Sequence, residues 1–131
     1  MNVLLASAAA LSLLGALWHG VGGEIGIVRA LDPQKLASSA FGDGEITKRF
    51  LRACWHLFTV NLIVTAGALF LVARDPMNAA RSFVAEMIAV EFAAFLVVYV
   101  VVAAPRPRLF VRAPQWLLFS AVALLAYLGA R

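Results

Sequence analysis

The chain has 131 residues, of which 63% are hydrophobic and only 14% are charged, and its formal net charge is +4. Soluble domains are about 25% charged, and a chain this short cannot bury so much apolar surface in a water-soluble fold. The composition therefore excludes an ordinary soluble domain. It predicts an integral membrane protein, and the expected partner is the lipid bilayer. The basic residues lie between apolar segments rather than on one face, which argues against nucleic acid as a partner.

Four apolar stretches are long enough for transmembrane helices, since about 20 residues rising 1.5 Å each cross roughly 30 Å of hydrocarbon. They cover approximately residues 3–28, 50–73, 82–104 and 115–130. Breaks are predicted at Asp32-Pro33, around Phe41 and Gly42, and at Asp75-Pro76. We therefore expect one integral membrane domain over residues 1–131, an all-α four-helix transmembrane bundle.

The distribution of lysine and arginine predicts the orientation of these spans. Basic residues are concentrated in and beside the first and third connections, whereas the opposite side carries only Arg74, Arg81 and Arg131. Because cytoplasmic connections carry an excess of Lys and Arg, connections one and three should face the cytoplasm and both termini should lie outside. The expected location is a bacterial inner membrane.

The third connection is proline-rich and basic. Arg106, Arg108 and Arg112 lie among three prolines, and no acidic residue interrupts them. Juxtamembrane basic clusters of this kind attract anionic lipids. We expect these three arginines to contact lipid headgroups.

The only two histidines, His19 and His56, each lie near the same end of a predicted span. Since consecutive spans are antiparallel, the two rings should lie at a similar depth. His19 also belongs to a stripe of small residues at spacings of three or four, which includes Ser12, Gly15, Gly22 or Gly23, and Gly26. Such stripes form helix-packing faces in lipid, so His19 should point into the bundle.

Glu24 follows His19 by five residues, near the end of the first span. Two imidazoles with a nearby carboxylate would supply the nitrogen and oxygen ligands of a divalent transition metal, and histidines can also be axial ligands of haem. The alternatives are hydrogen-bonded structural histidines with a solvated Glu24 near Arg29, or histidines that handle protons.

Glu91 lies about two turns inside the third span, with no basic residue nearby. A charged carboxylate is expensive there, so we expect Glu91 to be protonated or paired, and it is a further candidate ligand. Asn61 and Thr65, which share a face of the second span, are candidate supporting polar residues. The alternative for Glu91 is an interhelical hydrogen bond that stabilises the bundle.

One sequence pattern resembles that of small, uncharacterised bacterial proteins with four transmembrane helices. It pairs Trp18-His19 and Gly23-Glu24 in the first span with Trp55-His56-Leu57 and Thr59 in the second. The basic residues Arg29, Arg49 and Arg52 lie between these positions. The resemblance covers the first half of the chain. It implies no activity, but it suggests that His19, Glu24 and the Trp55-His56 pair belong to one unit.

Three functions are therefore hypotheses from the sequence. The first is an intramembrane His/Glu site that binds a transition-metal ion or haem, for metal handling or electron transfer. The second is a proton- or ion-coupled transporter or channel that acts as a homo-oligomer. The third is an assembly subunit of a larger membrane complex. The sequence identifies no catalytic residue, and it leaves open whether the protein is an enzyme.

Overall fold

The computed structural model describes residues 1–131 except Ser39, Phe41 and Pro76. The described residues form helices joined by short connections, with no β-strand among them. The prediction of an all-α protein is therefore confirmed. The breaks predicted at Phe41 and Pro76 fall on residues outside the described part of the chain.

The first helix, α1, covers Val3–Leu17. It begins after Asn2, whose side-chain oxygen accepts hydrogen bonds from the backbone N–H groups of Leu4 at 3.1 Å and Leu5 at 3.2 Å. Such a cap satisfies N–H groups that have no partner inside the helix. The start of α1 is therefore fixed by the second residue of the chain.

The helix then widens into two π-helical segments, π1 (Trp18–Gly22) and π2 (Glu24–Val28). In each segment the hydrogen bonds join residues five apart, as between the N–H of Arg29 and the carbonyl of Glu24 at 2.9 Å. Regular α-helical spacing in the sequence does not predict this change. π turns are rare and occur frequently at functional sites, and here they contain two of the candidate site residues, His19 and Glu24.

The remaining helices are α2 (Gly44–Arg74), α3 (Arg81–Ala103), the short α4 (Leu109–Arg112) and α5 (Gln115–Ala130), and a 3₁₀ turn covers Pro33–Lys35. In the described part of the chain, three helical stretches are long and apolar enough to cross a membrane: Val3–Val28, Gly44–Arg74 and Arg81–Ala103. The apolar helix α5 has 16 residues, which corresponds to about 24 Å at 1.5 Å per residue.

The chain divides into two compact units, Leu14–Ile63 on the one hand and Met1–Leu13 with Val64–Arg131 on the other. In the second of these, α3 and α5 pack through aromatic rings, with Phe92 and Phe119 in edge contact at 6.2 Å. The Asn2 amide donates to the carbonyl of Gly129 at 2.8 Å. This bond joins the start of α1 to the end of α5, and both lie in the same unit. The unit Leu14–Ile63 contains π1, π2 and the first part of α2, and it carries the candidate site.

Candidate functional site

The site lies where π1 and π2 contact α2. Two glycines permit this contact, because a Cβ added at Gly23 would lie 2.2 Å from Cζ2 of Trp55, and one at Gly20 would lie 2.8 Å from Cγ2 of Thr59. Small residues allow membrane helices to approach closely. Gly26, which the predicted stripe included, has no atom within 4 Å of such a Cβ. The packing face therefore matches the predicted stripe at Gly23 but contains Gly20 in place of Gly26.

On the α2 side, the site residues share one stripe. Arg52, Trp55, His56 and Thr59 have the spacing i, i+3, i+4 and i+7, which places them on one face of an α-helix. This face meets His19 and Glu24 of the first helix. The spacing was visible in the sequence, but polarity alone does not show that this face packs against π1 and π2.

The imidazole of His19 is held on three sides. Its Nδ1 lies 2.9 Å from Oγ1 of Thr59. One ring face stacks on Trp55, with centroids 4.1 Å apart and planes inclined by 7°, and the ring meets Phe58 edge-on at 5.0 Å. His19 is half-buried. These contacts restrict the ring to one orientation.

The hydrogen bonds around Thr59 also assign the tautomer of His19. The Thr59 hydroxyl has one proton, and its oxygen lies 3.4 Å from the carbonyl oxygen of Trp55, to which it can donate. The oxygen Oγ1 is then the acceptor for His19, so Nδ1 carries the proton and donates. In a neutral imidazole the other nitrogen, Nε2, has the lone pair. We therefore assign Nε2 of His19 as the atom that can bind a ligand.

Glu24 is the most strongly bonded polar side chain of the site. Its residue is 7% exposed, and Oε1 accepts from Nη2 of Arg52 at 2.6 Å and from Nε of Arg29 at 3.3 Å. The other oxygen, Oε2, accepts from Nε2 of His56 at 3.2 Å. Three donors thus converge on one carboxylate, and two of them come from α2. The π turn explains Arg29, because it brings residues five apart together.

Glu24 and His56 are therefore partners of each other, while His19 has a different set of contacts. Among the described residues there is no group of three or more His, Cys, Asp or Glu side chains that could hold a metal ion. Two guanidinium groups beside Glu24 also repel a cation at that carboxylate. The arrangement leaves His19 as the ligand candidate and makes Glu24 and His56 a hydrogen-bonded contact between two helices.

The other predicted site residues lie elsewhere. Glu91 is half-buried on α3, in the unit that does not contain His19. Asn61 is half-buried and Thr65 is buried, both on α2. Arg106, Arg108 and Arg112 line a cavity of about 420 Å³ in the connection after α3. Trp55 and Thr59 contact His19; the resemblance grouped Trp55 with His19, but neither residue was predicted as a direct partner of the ring.

Searches against protein-family models, curated proteins and solved structures found no match to this chain.

Proposed function

We propose that this protein is an integral membrane protein that binds haem, with Nε2 of His19 as a protein ligand to the iron. The observation that supports this most directly is the hydrogen-bonded chain from Nδ1 of His19 to Thr59 and on to the carbonyl of Trp55. Histidines that bind metals almost always donate their other N–H to a fixed acceptor, which sets the tautomer and the ring orientation. His19 has this arrangement.

The small number of metal-ligating side chains around His19 favours haem over a free metal ion. A zinc ion takes three or four protein ligands, and no such group occurs among the described residues. A haem iron already has four porphyrin nitrogens and needs only axial ligands from protein. Apolar side chains next to His19 are suited to a porphyrin, since Trp18 is 81% exposed, Val21 60% and Ile25 61%.

The role of such a site is electron transfer or haem handling, and Glu24 and His56 support it by holding the helices in register. We also propose an arrangement of the helices in the membrane. The fourth apolar helix, α5, completes a four-helix bundle with both termini outside, and the bacterial inner membrane is its location. Support comes from the basic residues of the first and third connections, which follow the positive-inside rule.

The test is a titration of the detergent-purified protein with haemin, followed by the Soret band in the visible spectrum. His19→Gln keeps a hydrogen-bonding group near Thr59 but removes the strong iron ligand, so we expect it to abolish the Soret shift. His56→Gln is the matched control, because it keeps a donor for Glu24 and should leave the shift unchanged. Equal haem binding by the His19→Gln variant and the unsubstituted protein would contradict the proposal.

A parallel titration with Zn²⁺ and Cu²⁺ separates haem from free ions. Stoichiometric binding of either ion that depends on His19, without haem binding, would replace haem by a metal ion supplied with ligands from another chain.

A second candidate is an assembly subunit of a membrane complex, and the three bonds to Glu24 favour it. In that case the polar residues serve only to hold two helices together. Purification with a larger complex, with no haem or metal bound, is the result expected of this candidate.

A further inference from the structure

The connection between α3 and α5 contains a second candidate site, separate from His19. A cavity of about 420 Å³ lies there, lined by Arg106, Pro107, Arg108, Leu109 and Arg112. This volume is within the range of about 300–1,000 Å³ that ligand pockets occupy. It is also much larger than a single inorganic ion requires.

Aromatic residues of the adjoining helices hold this connection in place. The hydroxyl of Tyr99 on α3 lies within hydrogen-bonding distance of the carbonyl oxygens of Leu109, at 3.0 Å, and Ala113. The indole of Trp116 on α5 donates to the carbonyl of Phe110 at 3.0 Å. The ring of Phe110 also packs edge-on against Tyr99 at 5.7 Å. The arginines are therefore carried on a fixed segment, which is what a specific site needs.

The charge of this segment is not neutralised by the protein. Residues 104–115 contain three arginines and no acidic residue. None of the three guanidinium groups forms an ion pair with a carboxylate among the described residues. A pocket lined by three unpaired guanidinium groups selects an anion, and the planar donor fork of arginine matches phosphate.

The neighbouring residues place the pocket at a lipid surface. It follows directly after α3, one of the helices able to cross a membrane, and the last turns of that helix expose Val100, Val101 and Val102. The end of such a helix lies at the headgroup level, where the phosphate of a lipid is the abundant anion.

We infer that this pocket binds the phosphate group of an anionic phospholipid, with Arg106, Arg108 and Arg112 as its ligands. The acyl chains then lie along the exposed valines of α3. This inference does not depend on haem binding by His19, because the two sites share no residue.

The experiment measures lipid bound to the full chain by native mass spectrometry, in detergent micelles that contain phosphatidylglycerol or phosphatidylcholine. We expect at least one phosphatidylglycerol to remain bound and the zwitterionic lipid to be lost. The variant Arg106→Gln/Arg108→Gln/Arg112→Gln should lose at least about tenfold in apparent affinity, since each arginine near a membrane surface contributes to anionic-lipid binding. Circular dichroism of the same variant shows whether its helices are retained.

Two further variants distinguish binding at a specific site from a general effect of positive charge. The matched control Lys35→Gln/Arg49→Gln/Arg74→Gln removes the same number of positive charges from exposed positions elsewhere, and it should retain the lipid. The variant Arg106→Lys/Arg108→Lys/Arg112→Lys keeps the charge but removes the donor forks, so it should bind with intermediate affinity.

Equal lipid retention in the triple glutamine variant and the unsubstituted protein would overturn the inference, and so would an equal loss in the matched control. Competition with inorganic phosphate identifies the occupant. The phosphate concentration is about 10 mM, which is high enough to occupy even a weak site with a millimolar Kd. If it displaces no lipid, the lipid assignment is supported. Binding of phosphate without any preference for phosphatidylglycerol would overturn it.

Discussion

Trp55 contacts His19 in two ways at once, because its indole ring stacks on the imidazole at 4.1 Å and its Nε1–H donates to the carbonyl oxygen of His19 at 2.8 Å. The hydrogen bond also gives the carbonyl of His19 a side-chain partner, in the part of the helix where the backbone bonding has changed to the π pattern. One side chain of α2 therefore fixes both the backbone and the ring of the candidate ligand.

The first prediction concerns these two contacts. Trp55→Phe keeps an aromatic ring but removes the N–H donor, and it should lower the free energy of unfolding by about 1 kcal/mol, the net value of one hydrogen bond. Trp55→Ala also removes the stacked ring and should lower it by about 2–3 kcal/mol. Unfolding of the purified protein by SDS titration, followed by circular dichroism, measures both changes.

Trp116→Phe is the control, since it removes an indole donor whose partner is Phe110 in the other compact unit. It should leave the Soret shift on haemin addition intact, whereas Trp55→Ala should weaken it. Equal effects of the two substitutions on haem binding would contradict the role assigned to Trp55.

The second prediction compares two glycines of the first helix. Gly23→Ala places a Cβ 2.2 Å from the Trp55 ring, whereas Gly26→Ala meets nothing within 4 Å. Overpacking of this kind destabilises by about 1–3 kcal/mol, so Gly23→Ala should lower the unfolding free energy. Gly26→Ala should be neutral, or stabilising by up to about 1 kcal/mol because alanine favours a helix. A neutral Gly23→Ala variant would show that the two helices do not approach as closely as the structure has them.

The third prediction tests the carboxylate that joins the two helices. Glu24→Gln weakens the bonds to Arg52 and His56 and leaves both without a charged acceptor, so the thermal midpoint should fall by several degrees. Glu45→Gln removes an exposed carboxylate from the first turn of α2 and should change the midpoint little. Differential scanning fluorimetry in one detergent measures both.

A double-mutant cycle assigns the effect to specific partners. Arg52→Gln should be strongly non-additive with Glu24→Gln, because their atoms are 2.6 Å apart. Arg29→Gln should couple less, since its bond is 3.3 Å long and its side chain is 68% exposed. Additive effects of Glu24→Gln and Arg52→Gln would contradict the ionic contact.

The sequence predicted the helices well, because long apolar runs have few other stable solutions in lipid. The hairpin also made an approach between His19 and the region of His56 a reasonable expectation. Three features were not accessible from the pattern. The π turns bring Gly20 rather than Gly26 against α2, the bond from Arg52 to Glu24 was not predicted, and Thr59 has no polarity that separates it from a packing residue.

These differences have a common physical origin. Spacing rules assume 3.6 residues per turn, and a helix that bonds residues five apart no longer obeys them. The rules placed His19 and Glu24 correctly on one helix, but they did not predict that Thr59 bonds His19 or that Arg52 bonds Glu24. That information depends on how two backbones approach, which is decided by Gly20 and Gly23 together with the side chains of Trp55 and Thr59.

The last prediction addresses the orientation of the His19 ring. Thr59→Val keeps the shape of the side chain and its methyl contact with Gly20 but removes the acceptor for Nδ1–H. Loss of such an outer partner typically lowers metal affinity about 10- to 100-fold, so haemin binding should weaken by that factor. Thr59→Ser keeps the hydroxyl and should bind nearly as well as the unsubstituted protein. Nitrogen NMR of ¹⁵N-histidine reports the tautomer directly. We expect the Nδ1–H form at His19 in the unsubstituted protein, and a mixture of forms in Thr59→Val. Observation of the Nε2–H form in the unsubstituted protein would place the lone pair on Nδ1, the nitrogen that faces Thr59. His19 would then have no free nitrogen lone pair to bind iron.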